Sequence, residues 1–166
     1  MNAIATRAQK IVVGIAEIRV ASCDGDELVT YALGSCLGLA VYDPVTHVGG
    51  LLHAMLPDLA CAPHKAGHAA MFVDDGVAEL LRLCAERGAQ KDRLVVKAAG
   101  GAAMSQGPQS AGRIGDRNVA SLRRALWKAG LLLTAKDLGG TLSRTMTLRV
   151  ADGSVTVSGE GGVRKL

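Results

Sequence analysis

Cys36 and His53 are the two residues whose chemistry stands out first. A cysteine thiolate attacks carbonyl carbon, and an imidazole within reach can take the thiol proton and return it to a leaving group. Cys36 follows Gly34 and Ser35. A glycine lets the backbone bend sharply before a nucleophile, and the small serine leaves room for a substrate. Backbone N–H groups at such a bend can point at a developing oxyanion. A free thiol titrates near pH ~8.5, so an imidazolium beside it would raise its reactivity at neutral pH. Thr30 supplies a third group, whose hydroxyl or carbonyl can hold the imidazole in place. Each residue also has a plainer reading. Free cysteines are usually buried in apolar strands, a histidine on an apolar strand is often a satisfied core residue, and a β-branched threonine suits strand packing.

Strands must deliver these side chains. Leu28 to Leu33 reads as a short apolar strand carrying Thr30 up to the Gly34-Ser35 bend. Leu37 to Tyr42 reads as a second, with Leu37, Leu39 and Val41 on one face. Asp43-Pro44 breaks it, and Val48 to Leu56 returns with His53 before Pro57 stops the run. The expectation is a three-strand meander in which cysteine and histidine meet.

Other chemistry-bearing residues compete. Cys61, His64 and His68 have the Cys-x2-His-x3-His spacing of half a zinc site, with only Cys23 or His47 to complete it. Chance spacing in a solvated loop explains the same residues. Gly100-Gly101 after a strand resembles the start of a phosphate loop but lacks the Gly-Lys-Ser/Thr ending, which argues against nucleotide binding. Asp116-Arg117-Asn118 reads as helix capping and loop closure.

Around this centre the pattern alternates between strand and helix. Ile11 to Ala21 reads as one edge strand, followed by a turn at Asp24-Gly25-Asp26. Residues 58–70 read as a mixed loop. Met71 to Arg87 has a helical stripe of Val73, Val77, Leu80, Leu81 and Cys84, stopped by Gly88. Leu94 to Ala98 reads as a buried strand, and residues 102–113 as a long surface loop. A second helix is expected from about Asp116 to Ala129, with Val119, Leu122, Leu126 and Ala129 inward and Gly130 as its stop. A strand starting at Leu131 turns at Gly139-Gly140. Met146, Leu148 and Val150 alternate with polar residues, and Asp152-Gly153 signals a type I′ hairpin to Val155 and Val157. Residues 1–12 and 159–166 read as flexible tails. The fold class is α/β: a single domain over 1–166, a sandwich of mixed, mostly antiparallel sheet with two main helices.

The bulk numbers exclude some classes. A chain of 166 residues with four cysteines can bury a core without disulfides, and no paired cysteine spacing suggests them, so reduced thiols in a cytoplasmic protein are expected. No apolar run is long enough for a transmembrane helix, and the first ten residues lack the pattern of a signal peptide. The formal charge is +4, but aromatics are only 2% of the chain. With basic residues scattered and few stacking platforms, nucleic acid is not the expected partner.

Taken in order, these blocks resemble a family. Leu33-Gly34-Ser35-Cys36, Tyr42-Asp43, Gly49-Gly50, His53 and Met55-Leu56-Pro57 are similar to the signature of the CheD chemoreceptor glutamine deamidases. So are Gly100-Gly101-Ala102, Ile114-Gly115-Asp116-Arg117-Asn118, and Asp137-Leu138-Gly139-Gly140 with Arg144-Thr145. The resemblance runs from about residue 17 to residue 157. It implies a Cys36-His53-Thr30 triad and an α/β sandwich similar to the catalytic domain of cytotoxic necrotizing factor toxins. It also implies glutamine side chains on methyl-accepting chemotaxis receptors as substrates, without metal or organic cofactor. Some relatives hydrolyse receptor methyl esters, and many work with the phosphatase CheC, which makes a CheC-type phosphatase an expected partner. Ala66-Gly67-His68 departs from an aromatic-and-acid pattern before the first helix, which bears on substrate choice. A non-catalytic adaptor that binds CheC or receptors is the alternative.

Overall fold

The computed structural model describes residues 9–104 and 109–166, apart from the side chains of 109–112. Among the described residues, ten strands and two α-helices follow one another, with short 3-10 turns between some of them. They are β1 (Lys10–Val12), β2 (Glu17–Ala21), β3 (Glu27–Leu33), β4 (Leu37–Asp43), β5 (Val48–Ala54), α1 (Val73–Glu86), β6 (Val95–Gly100), α2 (Gln109–Ala129), β7 (Ala135–Leu138), β8 (Arg144–Arg149), β9 (Val155–Gly159) and β10 (Gly162–Lys165).

The strands form two sheets, ordered β1-β3-β8-β9-β10 and β2-β5-β4-β6-β7. All neighbours are antiparallel except β1–β3 and β6–β7. The chain is therefore a mixed, mostly antiparallel α/β sandwich with two main helices, and its sheet is split in two. β4 and β5 are buried along their whole length. Strand alternation sends their side chains to two different cores. Leu37, Leu39, Val41, Leu52 and Ala54 face the helices, against Val77, Leu80, Cys84, Leu122 and Leu126. Ala40, Tyr42 and Leu51 face the first sheet, against Leu28, Leu33, Met146 and Leu148. Fully burying each such aliphatic side chain contributes roughly 1.5–3 kcal/mol before the entropy of ordering it.

Several boundaries differ from the sequence reading, each for a local reason. Ile11 to Ala21 is two strands in different sheets, because the chain turns between them with Ala16 at φ 58. Both are edge strands. The expected three-strand meander is also divided: β4 and β5 pair as a hairpin, but β3 lies in the facing sheet. The helix α2 starts at Gln109 rather than near Asp116. Of the expected 102–113 loop, residues 105–108 lie outside the described residues and 109–113 are helical. The run from Leu131 enters its sheet only at Ala135. At the β8–β9 hairpin, only Gly153 has a positive φ, 68°, so the turn is not type I′, which needs both central residues there.

The tails differ as well. Residues 162–165 are not loose but pair with β9, and Lys10–Val12 pairs with β3. The remainder of the expected N-terminal tail, residues 1–8, lies outside the described residues.

Candidate active site

β5 brings His53 to the layer between the sheets. It pairs opposite Gly38 of β4, and a Cβ on Gly38 would strike Leu33 and Met146 of the facing sheet. His53 therefore looks across at β3, where Thr30 looks back. Thr30 Oγ1 lies 2.7 Å from His53 Nδ1, and both residues are fully buried. The same hydroxyl donates to the Val13 carbonyl at 2.7 Å. A hydroxyl has one proton. With that proton given to Val13, His53 Nδ1 must carry its own hydrogen and donate to Oγ1. Neutral His53 then keeps a bare lone pair on Nε2, and Nε2 is buried without a hydrogen-bond partner among the described residues. Thr30 acts here through its hydroxyl rather than its carbonyl.

Cys36 sits on the turn between β3 and β4, two residues before Gly38. Its half-buried side chain packs against the same intersheet core that His53 enters. No hydrogen bond joins its sulfur to His53, whose Nε2 is unpartnered. The bend before it is built differently from the expectation. Gly34 has no positive φ. Ala32 takes the left-handed conformation instead, at φ 57. It lies at a register shift between Thr30 and Leu33 where β3 stops matching β8. Such a bulge re-aims the chain, and here it lifts the chain from one sheet to the other.

Three consecutive carbonyls then anchor the turn. Gly34 O accepts from Ala102 N–H at 2.8 Å and Cys36 O from Gly101 N–H at 2.8 Å. Ser35 O accepts from Asn118 Nδ2 at 2.8 Å. The N–H groups of Ser35 and Cys36 donate to no oxygen among the described residues, and that of Cys36 faces its own sulfur. Successive backbone N–H groups at a turn can make an anion-binding concavity. Gly100 has to be glycine here: its φ is 108°, and a Cβ would lie 2.3 Å from Cys36 O.

Electrostatics leave the resting pair uncharged. Burial pushes the Cys36 thiol above its ordinary value, opposed by its own backbone N–H. Burial lowers His53 from 6.5 to about 4. The imidazolium expected from the sequence is therefore absent at neutral pH, and the imidazole is a neutral base.

The rival groupings are not assembled. Among the described residues no three His, Cys, Asp or Glu side chains converge on a metal-sized site. Cys61 instead accepts from Arg117 Nη2 at 3.2 Å. Asn118 is the residue the sequence reading misplaced. It is not a cap but lies in the interior of α2, fully buried, donating to Ser35 O and to Met55 O at 3.1 Å. The signal was present: Asn118 stands four residues before Leu122 and eight before Leu126, on the helix's inward stripe.

Fold and site together define a single-domain α/β sandwich with a cysteine turn and a threonine-tethered neutral histidine opening on one intersheet layer. Residues 55–159 match the family model described as CheD chemotactic sensory transduction. The chain is 43% identical over 159 residues to the "Probable chemoreceptor glutamine deamidase CheD" of Solibacter usitatus, covering 95% of this chain and 94% of that one. It is 45% identical to the protein of the same description from Pyrococcus abyssi, over 89% and 90% of the two chains. The chain belongs to the CheD family.

Proposed function

We propose that this protein hydrolyses glutamine side chains of methyl-accepting chemotaxis receptors to glutamate, through a thioester on Cys36. The observation that carries the reading is the Thr30 hydroxyl. With its one proton given to Val13, it leaves His53 with a free base at Nε2, in the layer Cys36 packs against. The relatives' description as chemoreceptor glutamine deamidases supports the substrate.

The step runs as follows. As Sγ attacks the side-chain carbonyl carbon, its proton passes to His53 Nε2, and the carbonyl π electrons become an oxyanion held by the Ser35 and Cys36 N–H groups. Sγ and Nε2 must close to hydrogen-bond reach for this transfer, a tightening that substrate-free sites commonly leave incomplete. The oxyanion collapses, the C–N bond breaks, and the nitrogen leaves as ammonia with the proton from His53. Water then attacks the thioester while His53 takes its proton. The C–S bond breaks and the sulfur recovers that proton, leaving glutamate. Thr30 holds the imidazole in one tautomer throughout. The product adds a negative charge to the receptor and creates a methylation site.

The same reading places the protein in the cytoplasm, with receptors as substrates and a CheC-type phosphatase as regulator. It likens the fold to the cytotoxic necrotizing factor catalytic domain. Incubation with receptor fragments is expected to add ~1 Da at glutamines, the NH2-to-OH exchange of acyl transfer, and Cys36→Ala is expected to add none. A Cys36→Ala protein that still deamidates overturns the mechanism. A wild type that binds receptors and never deamidates them points to the adaptor instead.

A further inference from the structure

We propose that Asn118 is a positioning residue that aims the oxyanion donors. The proposal rests on the reading of Cys36 as nucleophile. A trans peptide carries its C=O and N–H on opposite sides, and no peptide here is cis. Asn118 Nδ2 draws Ser35 O toward α2. The N–H of the same peptide belongs to Cys36 and must then point the other way, off the helix. That N–H meets no oxygen acceptor among the described residues and faces only its own sulfur. Asn118 thereby sets the direction of the donor nearest the nucleophile.

Its second bond has a related consequence. Nδ2 also donates to Met55 O, two residues beyond His53. One amide group thus ties the turn that carries the thiol to the chain just beyond β5, while the β4–β5 ladder itself holds the thiol and the base at their separation. The support beneath is close-fitting. Ser121, one turn along α2, donates to Pro57 O at 2.7 Å. Gly115, nearly one turn before Asn118, lets α2 approach the loop after β6, since a Cβ there would lie 2.3 Å from Ala102 O.

The amide's orientation is dictated by its acceptors. Both are carbonyl oxygens, so the NH2 group must face them, and Oδ1 is left buried without a partner. An unpaired buried acceptor is a cost that a residue serving packing alone would not carry. A leucine, like Leu122 and Leu126 on the same stripe, would fill the space but leave Ser35 O and Met55 O without this donor.

The test separates aim from assembly. In Asn118→Ala, kcat on receptor fragments should fall roughly 10²-fold, as when one oxyanion donor is lost, with KM within about threefold. Alkylation of Cys36 by iodoacetamide, followed by peptide mass spectrometry, should stay within about twofold, because displacement at saturated carbon develops no oxyanion. A kcat within about threefold of wild type overturns the proposal. So does an alkylation rate that falls in step with kcat, which would mark Asn118 as merely structural.

Should Asn118→Ala fail to fold, wild-type protein labelled with 15N-cysteine serves. A receptor peptide with an aldehyde in place of the glutamine amide should shift the Cys36 amide resonance downfield on forming the thiohemiacetal. An unmoved resonance overturns the proposal. Failure of the underlying reading looks different: a Cys36→Ala protein that still deamidates removes nucleophile and proposal together. An inert Cys36→Ala beside a fully active Asn118→Ala removes the proposal alone.

Discussion

The hairpin of β4 and β5 has a polar group buried at each end, and the two are handled in opposite ways. At the turn, Asp43 is fully buried and thoroughly paired. It accepts from Arg93 at 2.6 Å and from the backbone N–H groups of Gln90 and Val45, both at 2.9 Å. These partners, Arg93 foremost, hold its carboxyl well below the usual carboxylate range. The neutral hydroxyl of Thr46 is left without a partner there among the described residues. At the open end, among the described residues, His53 Nε2 and Asn118 Oδ1 have no partner and the Ser35 and Cys36 N–H groups meet no oxygen acceptor. A buried polar group with its bonds complete holds the fold together. One that can ionise and has a bond left open is a candidate for a functional role. Both ends stand on the same two strands, so the difference lies in the neighbours and not in the scaffold.

Substitutions at the two ends should therefore separate activity from stability. The largest effect is expected from Cys36→Ala: deamidation lost entirely, measured by mass spectrometry, with thermal unfolding nearly unchanged because the side chain is small and only half-buried. A large fall in the melting temperature would mean that the open end is structural after all.

Next comes Thr30→Val. It strands the Val13 carbonyl and the Nδ1 hydrogen of His53, at roughly 1–3 kcal/mol for each group left buried and unpaired. It should also lower kcat roughly 10²-fold by freeing the tautomer. Thr30→Ser keeps the hydroxyl and should restore most of the activity. Equal activity in the valine and serine variants would show that the hydroxyl does not orient the base.

Asp43→Ala is the counterpart at the turn. It should lower stability by roughly 1–3 kcal/mol for each backbone amide that loses its acceptor, read from denaturant midpoints, while kcat of the folded fraction stays at the wild-type value. A kcat that falls with stability would couple the two ends and erase the contrast.

The smallest effect is in pH. His53 has a folded pKa of about 4 against an ordinary 6.5, so the unfolded chain binds the proton more readily between those values. Stability is then full above pH 6.5 and declines as pH falls toward 4. His53→Gln should flatten that slope. The acid limb of kcat/KM should likewise lie near pH 4 rather than 6.5, since the required imidazole stays neutral down to that point. A limb at 6.5 would mean that His53 is less desolvated in the working enzyme than between these sheets.

Much of this was legible along the chain because it depends on local pattern. The stripe Val73, Val77, Leu80 and Cys84 has helical spacing wherever it packs, and β8 alternates whatever it faces. Gly34-Ser35-Cys36, His53 and Thr30 are distinctive in type and order, so the candidate site could be named in advance. What could not be read was which sheet each strand would join. Strand periodicity reports that a residue has two faces, not what lies opposite them.

The amino-acid sequence by itself determined the fold class, most of the elements and the three side chains proposed to carry the chemistry. Tertiary structure alone decided that β3 and β5 face each other across a gap, so that Thr30 reaches His53 from the opposing sheet. It also decided that Thr30's proton goes to Val13, and that a helical asparagine grips the turn that carries Cys36. The physical reason is that a hydrogen bond is directional and short-ranged. Residues 17, 23 and 83 positions apart along the chain come within its reach only when two sheets and a helix close on one another.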